Sequence, residues 1–395
     1  MDKHNKNVAL LSICQGLLLT NNSILVSVNG LAGYMLAPDK GLATLPVTGY
    51  VLGSALTTLP MSFLMKRWGR RAGFTAGAVF AILGSVLCAA AVYAANFWML
   101  CAGTLVLGAY FAAGQYYRFA AADSAPVALR SRAISLVLAG GIIGGFLGPQ
   151  TSKLTKDLLV QHVYAGAYLS LVAFAVLAIL ILRWLDIPRP TSAEQQAVTR
   201  PLAEIAKQPA FAVAVLCGMV GYGVMNLLMT ATPLAMIACS HPFADAAFVI
   251  QWHLVGMFAP SFVTGNLIQR FGVTRVIVAG VVLNLVCVAV ALSGVTVANF
   301  WVALTLLGIG WNFMYVGATT LLTETHRPAE RAKAQGVNDM AIFVTMVVSS
   351  LSSGALFTYQ GWQTMNRLAV PFLLVAGIAV VTLQWSRRRS AALLP

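Results

Sequence analysis

Charged residues are scarce in this sequence. They make up 9% of its 395 residues, and hydrophobic residues make up 59%, whereas a typical soluble domain is about 25% charged. Acidic residues are the rarest of all, with 11 Asp and Glu against 25 Lys and Arg. This composition excludes an ordinary soluble chain, and the shortage of acids limits the mechanisms that the protein has available.

Motifs for catalysis and metal binding are also missing. The sequence has no HExxH, GxSxG or Walker motif, so we expect neither an enzyme nor an ATP-driven pump. Its six cysteines show no CxxC or other metal-ligand spacing. We therefore expect small apolar packing residues, no metal site and no organic cofactor.

The abundant feature is long apolar runs of about 20 residues, which is the length of a bilayer-spanning helix. The runs are continuous, whereas strands of a membrane barrel alternate in short segments. The first run is interrupted by Gln15, Asn21, Asn22 and Asn29 and lacks a clear cleavage site, so we expect a retained helix and not a secretory signal. The sequence predicts twelve spans, at about 8–34, 42–65, 72–94, 97–121, 133–152, 164–185, 210–232, 243–268, 276–296, 299–322, 336–357 and 368–386.

Basic residues are concentrated in every second predicted loop. If the N-terminus is cytoplasmic, twenty of the 25 lie on the cytoplasmic side, Arg118 lies inside span 4, and four lie outside: Lys40, Lys153, Lys156 and Arg367. The positive-inside rule then places both termini in the cytoplasm. We interpret the net charge of +14 as a topology signal and not as a nucleic-acid surface.

The two halves of the chain repeat each other at an offset of 203 residues. Ala-Asn-Phe-Trp occurs at 95–98 and at 298–301, and Arg67 and Gly69 match Arg270 and Gly272. We predict a bundle of six helices in residues 1–185, a cytoplasmic linker in 186–209 and a second bundle in 210–395. Six spans per half make the repeats parallel, a plan known among secondary transporters.

The segment Ser62–Arg71 resembles the loop signature G-x-L-x-D-R-x-G-R-R of the major facilitator superfamily, and 265–274 is its second copy. Lys66 and Gln269 stand where the family has an aspartate. The stretch GGFLGP at 144–149 is similar to the core of the family's exporter motif. The stretches 114–123 and 310–339 resemble a bacterial branch whose substrates are unknown. The resemblance implies an all-α integral membrane fold of 12 transmembrane helices around a central cavity, in the bacterial inner membrane.

In that family, spans 1, 4, 7 and 10 line the cavity, and here each carries polar or aromatic residues on one stripe. Such residues usually face the bundle interior or water, because exposing them to lipid is costly. The alternative is that they join helices through hydrogen bonds. The predicted substrate-binding residues are Gln15, Asn22, Gln115, Tyr116, Tyr117, Arg118, Tyr222, Asn226, Trp311, Asn312, Tyr315 and Thr319.

Arg118 has two interpretations that the sequence leaves open. Its guanidinium suits a carboxylate or phosphate of the substrate. Alternatively, it forms a structural ion pair with Asp123, one turn away, or with Glu324.

Gating and coupling residues are expected near the cytoplasmic ends of the spans. Because Lys66 replaces the usual aspartate and Asp339 begins span 11, we hypothesise a charge-swapped gate pair between them. His253 is either a coupling residue or a hydrogen-bonded interior histidine. The full predicted set is Lys66, Arg67, Arg71, Asp123, His253, Arg270, Glu324 and Asp339.

The expected function is secondary active transport of a small organic solute by alternating access. The exporter-like motif favours export, and the resemblance implies a coupling proton. The alternative is import of a small anionic or aromatic metabolite. A channel or a receptor-like membrane protein is a remote alternative. The expected partners are the solute and the lipid bilayer, with no nucleic acid and a monomeric state.

Overall fold

The computed structural model describes residues 3–392 except 40, 41, 43, 44, 160 and 188–198. Lys40 and residues 188–198 of the predicted linker, including Arg189, therefore lie outside the described residues. Within the described ranges the chain is helical and contains no strand. Ten helical stretches among them are long and apolar enough to cross a membrane. This confirms the prediction of an all-α integral membrane fold.

The helices follow the predicted spans in order. Spans 1–6 are Lys3–Leu36, Leu45–Trp68, Arg70–Tyr93, Phe97–Gln115 with Tyr117–Ser124, Arg130–Ala139 with Gly141–Thr155, and Ala165–Leu182. The linker contains a short helix, Leu202–Ala206. Spans 7–10 are Pro209–Ala238, Phe243–Phe258 with Ser261–Phe271, Val273–Ser293 and Val297–Thr323, and spans 11 and 12 share Arg331–Ala392.

Two local features reconcile ten long stretches with twelve spans. Pro260 lacks an amide hydrogen and divides span 8 into two helices that are each too short to cross alone. Gly361, with φ at 76°, interrupts the 62 residues of Arg331–Ala392. A straight helix of that length would be about 90 Å long, roughly three times the hydrocarbon thickness of a bilayer. Spans 11 and 12 are therefore separate crossings.

The sequence repeat reappears in the backbone. Gly69 and Gly272 both adopt a left-handed φ, 90° and 87°, and each begins the next helix. The repeated asparagines act differently: Asn96 is the N-cap of its helix, whereas Asn299 lies one turn inside and completes a capping box with Thr296. Span 10 therefore begins one turn earlier than span 4 does relative to the shared motif.

The chain divides into two compact units. Unit one contains Met1–Ala125, Leu136–Thr199 and Pro328–Phe343, and unit two contains Pro126–Ser135, Arg200–Arg327 and Val344–Pro395. The start of span 11 thus groups with the first repeat and the start of span 5 with the second. The predicted boundaries at 185 and 210 follow the repeat in the sequence, and as domain boundaries they stay a prediction.

Glycines pack span 5 against span 1 within unit one. A side chain at Gly140, Gly144 or Gly148 would meet the backbone of Ser12, the backbone of Leu19 and Thr20, and Ser23, respectively. Ser12 also donates to the carbonyl of Leu136 at 3.0 Å. The exporter-like segment therefore has a packing role in this fold.

Candidate functional site

A buried ion pair in unit one joins the two sequence repeats. Span 4 is interrupted at Tyr116, and Arg118 lies in its second helix. There the guanidinium of Arg118 bonds the carboxylate of Asp339 in the first part of span 11, and the two side chains are 1% and 2% exposed. Arg118 also donates to Gln115, at 2.8 Å to the carbonyl and 2.9 Å to Oε1. Asn338 donates to Asp339 at 2.9 Å.

This pairing differs from the sequence-based expectations for both residues. The sequence left Arg118 open between a substrate carboxylate or phosphate and a structural pair with Asp123 or Glu324, and it suggested Lys66 as the partner of Asp339. Lys66 is half-buried and forms no ion pair with any described residue. A planar guanidinium suits an enclosed carboxylate better than a compact ammonium group does, because it is less strongly hydrated and can be held by several bonds.

A second charged cluster lies nearby in unit one. Asp123 pairs with Arg70 at 2.9 Å and with Arg331 at 3.3 Å. Arg70 also donates to Gln335 in span 11 at 2.6 Å. Asp123 therefore pairs with Arg70 and Arg331 and not with Arg118. Its predicted gating role stays a prediction, and the sequence did not indicate Arg70, Arg331 or Gln335.

The arginine that enters this cluster is Arg70 and not the predicted Arg67 or Arg71, which are both exposed. The reason is local: Gly69 reverses the chain with its positive φ, so that Arg70 becomes the first residue of span 3. The repeat of Gly69 at Gly272 is the signal in the sequence for that turn.

The predicted gating residues of unit two are mostly at the surface. Glu324 pairs with Arg387 at 2.9 Å, and the two side chains are 44% and 41% exposed. Arg270 is exposed and lies over the ring of Phe271. His253 is fully buried, with Nδ1 2.8 Å from the carbonyl of Leu304. This contact matches the interior-histidine interpretation, and a coupling role stays a prediction.

Three predicted aromatic residues meet in unit two. The rings of Trp311 and Tyr315 are stacked, with centroids 5.0 Å apart and planes at 21°. Tyr222 stands perpendicular to both, at 5.1 Å and 4.9 Å, and Phe258 meets Trp311 edge-on at 6.0 Å. We call Tyr222, Trp311, Tyr315 and Phe258 the second-unit aromatic group.

The predicted polar residues of unit two are engaged within the protein. Asn312 is fully buried and donates to the carbonyl of Met257 at 2.7 Å, while its Oδ1 accepts from Thr264 at 2.7 Å. Asn226 donates to Ser349 and to the carbonyl of Met346. Thr319 is 2% exposed. In this conformation both amides have the interhelical role that the sequence left as an alternative.

The predicted residues of unit one are also largely enclosed. Tyr116 donates to the carbonyl of Thr58 at 3.0 Å, and Tyr117 packs on Phe74 with ring centroids 4.6 Å apart. Gln15 is 5% exposed and Asn22 is half-buried.

Sequence reasoning missed other residues of unit one. The ring centroid of Phe111 lies 5.6 Å from that of Tyr50 and 5.7 Å from that of Phe343. We call Tyr50, Phe111 and Phe343 the first-unit aromatic group. Asn21, noted only as an interruption of span 1, is 2% exposed, and neither of its amide atoms has a hydrogen-bond partner among the described residues.

No group of three or more His, Cys, Asp or Glu side chains in the described part of the chain is arranged to hold a metal ion.

Comparison with known proteins shows the family. The profile of the Major Facilitator Superfamily matches residues 11–250 and 216–394. The chain is 40% identical over 380 residues to the riboflavin transporter RfnT of Brucella anthropi, which covers 95% of each protein. It is 26% identical over 359 residues to the uncharacterized MFS-type transporter YddS of Bacillus subtilis, covering 86% of this chain and 82% of that protein. The chain belongs to the major facilitator superfamily of membrane transporters.

Solved structures share the fold. The transporter FucP, solved in the outward conformation, superposes with a TM-score of 0.76 at 15% identity, covering 96% of this chain and 99% of FucP. The human organic anion transporter MFSD10 gives a TM-score of 0.78 at 12% identity, covering 96% of this chain and all of that one. At such low identity these likenesses concern the fold alone.

Proposed function

We propose that this protein transports riboflavin across the bacterial inner membrane by alternating access. The observation that carries the proposal is the 40% identity with a riboflavin transporter over 95% of both chains. In the proposal the solute crosses without chemical change, the protein works as a monomer, and both termini are cytoplasmic.

The aromatic side chains support a flat solute. Each unit contains a group of aromatic rings that belongs to membrane spans, and the predicted cavity spans 7 and 10 supply Tyr222, Trp311 and Tyr315. Offset stacking and edge contacts with such rings favour a planar ring system over an aliphatic solute. Among the alternatives from the sequence, an aromatic metabolite is therefore favoured.

The charges support an uncharged solute. Arg118 was the candidate receptor for a substrate carboxylate or phosphate, and its guanidinium is bonded to Asp339 and Gln115. A guanidinium already neutralised by a buried carboxylate attracts a second anion weakly, because the local net charge is close to zero. The riboflavin ring and its ribityl chain carry no phosphate, and so they need no such receptor.

The test is transport of riboflavin by the purified protein in proteoliposomes, followed through riboflavin fluorescence. We expect saturable transport and counterflow, which a channel does not show. Tyr315→Leu should reduce transport by about tenfold, because it removes a stacking ring, while Tyr359→Leu, at a position 83% exposed, should not. Absence of saturable riboflavin transport by the unaltered protein would refute the proposed function.

Direction and coupling form the finer part of the proposal. Export was favoured only by the segment 144–149, and that segment has a packing role here, so orientation-controlled vesicles must decide between export and import. We propose a proton as the coupling ion and Asp339 as its carrier, since Asp339 is 2% exposed and lies inside span 11. A pH gradient of either sign should then change the initial rate, and Asp339→Asn should remove that response.

A further inference from the structure

Asn21 is a buried carboxamide whose hydrogen-bonding capacity is unused. It lies in the middle of span 1, it is 2% exposed, and neither Oδ1 nor Nδ2 has a partner among the described residues. Burying an amide without partners is unfavourable, because its hydrogen bonds to water are lost and not replaced. A polar group of this kind inside a membrane span is a candidate ligand contact.

Burial alone does not leave amides unpartnered in this protein. Every other described Asn or Gln side chain that is less than 5% exposed uses at least one of its polar atoms in a hydrogen bond. These side chains are Asn7, Asn29, Asn284, Asn312, Gln335, Asn338 and Asn366. The state of Asn21 is therefore specific to its position.

That position is level with the first-unit aromatic group. Leu18 fills the space beside Gly114 of span 4, and Asn21 lies one turn further along the same face of span 1. Because spans 1 and 4 run antiparallel, one turn towards the C-terminus of span 1 corresponds to one turn towards the N-terminus of span 4. Phe111 lies one such turn from Gly114. Phe111 contacts Tyr50 and Phe343. A hydrogen-bonding amide and a group of rings thus occur at the same depth of unit one.

A carboxamide offers a donor beside an acceptor, which matches the edge of a ring in which an N–H lies next to a C=O. Asparagine and glutamine recognise the edge of adenine with the same two atoms. The pyrimidinedione part of riboflavin has an N–H between two carbonyl groups, and its fused rings are flat. The proposed substrate therefore offers the hydrogen-bond donor and acceptors that the amide of Asn21 lacks.

We infer that Asn21 determines specificity by binding the N–H/C=O edge of the substrate ring with both amide atoms, while the first-unit aromatic group packs near the ring. This inference rests on the proposed function. Asn21 is enclosed in the present conformation, and it gains its partners in the state that holds the substrate.

The experiment compares riboflavin with 3-methylriboflavin, in which a methyl group replaces the hydrogen of that N–H. Binding to the purified full-length protein is measured by quenching of flavin fluorescence. In the unaltered protein, methylation should weaken binding by about tenfold or more, because a site built for a hydrogen bond rejects a ligand that cannot make it. Asn21→Ala should weaken riboflavin binding by a similar factor but change 3-methylriboflavin binding by less than about threefold, so that discrimination disappears.

Asn284→Ala is the matched control. Asn284 is equally buried, but its amide donates to the sulfur of Met314 in unit two. This variant should keep the discrimination between the two flavins even if its stability falls. Should Asn21→Ala fail to fold, Asn21→Leu, which matches the carboxamide in size, serves in the same comparison.

The outcomes separate the inference from the proposed function. If the unaltered protein does not bind riboflavin, both are wrong. If it discriminates and Asn21→Ala discriminates equally, the inference is wrong and the proposed function stands. Without ligand, Asn21→Leu should be at least as stable as the unaltered protein. A loss of stability as large as that of Asn284→Leu would mean that Asn21 is already bonded, for example to an internal water, and would overturn the inference.

Discussion

Arg118 and Asp339 are charged side chains that the described spans enclose almost completely, at 1% and 2% exposure. Removing two ions from water is costly, and their attraction offsets that cost only with good geometry and further hydrogen bonds. Gln115 and Asn338 supply such bonds. The pair therefore holds the start of span 11 against span 4 within unit one. Substitution of either residue alone leaves the other charge without its partner.

We expect Arg118→Leu and Asp339→Leu each to lower the free energy of unfolding by about 3–5 kcal/mol, because each leaves an uncompensated buried charge. The double variant should recover most of that loss, since no buried charge remains. The measurement is unfolding in mixed detergent micelles with an increasing fraction of denaturing detergent.

The matched control is Arg387→Leu, which breaks the exposed pair with Glu324. An exposed ion pair contributes at most about 1 kcal/mol, so this variant should unfold nearly as the unaltered protein does. Additive losses in the Arg118 and Asp339 double variant would show that the two side chains do not depend on each other.

The sequence placed Asp339 in the first turn of span 11 and suggested Lys66 as its partner, whereas the cation that it meets is Arg118. Lys66, Arg70 and Arg118 all lie near the predicted cytoplasmic ends of spans in the first half, and the choice among them depends on the rotation of each helix about its axis. Hydrophobic periodicity specifies that rotation poorly when apolar residues surround the whole helix. The sequence could not single out Asn21 either, because only the three-dimensional structure shows that its amide has no hydrogen-bond partner among the described residues.

At the scale of elements, the glycines of span 5 decide how closely it approaches span 1. A side chain at Gly144 would meet the backbone of Leu19 and Thr20. Because backbone cannot move aside as a flexible side chain does, a larger residue must force the two helices apart.

We expect Gly144→Leu to destabilise the protein by about 1–3 kcal/mol or more, through overpacking of this interface. Gly30→Ala in span 1 is the control, since no other group lies within 4 Å of a side chain there. It should be neutral or slightly stabilising, because alanine favours a helix over glycine by about 0.5–1 kcal/mol. Thermal unfolding in detergent measures both. Equal stability of the two variants would mean that spans 1 and 5 do not pack closely.

The spans themselves were predictable, because a run of about 20 apolar residues has few other stable uses. The breaks within the spans were harder to predict. Span 4 ends its first helix at Gln115 without any proline, and a tyrosine occupies the junction. Pro260 signals a break in span 8, whereas the break at Gly361 depends on a backbone conformation that the sequence permits but does not require.

At the scale of the whole molecule, duplication explains what is shared and divergence what is not. Gly69 and Gly272 keep the same left-handed conformation in both repeats. The acidic residues are not duplicated, since position 136, the counterpart of Asp339, is Leu136. The two repeats therefore share a scaffold, while the enclosed ion pair occurs in unit one.

The distribution of basic residues predicts the orientation of that scaffold, and one native cysteine can report it. Among the described cysteines Cys239 is the exposed one, and it follows span 7 on the predicted outer side. A membrane-impermeant thiol reagent added to intact cells should therefore label the unaltered protein, and Cys239→Ser should remove the label. In that background, Gln360→Cys, between spans 11 and 12, should restore labelling. Glu204→Cys, exposed in the linker helix Leu202–Ala206, should be labelled only after the cells are opened, because the basic residues near the linker predict that it is cytoplasmic. Labelling of Glu204→Cys in intact cells, together with protection of Gln360→Cys, would reverse the topology and with it the assignment of Arg118 and Asp339 to the cytoplasmic side.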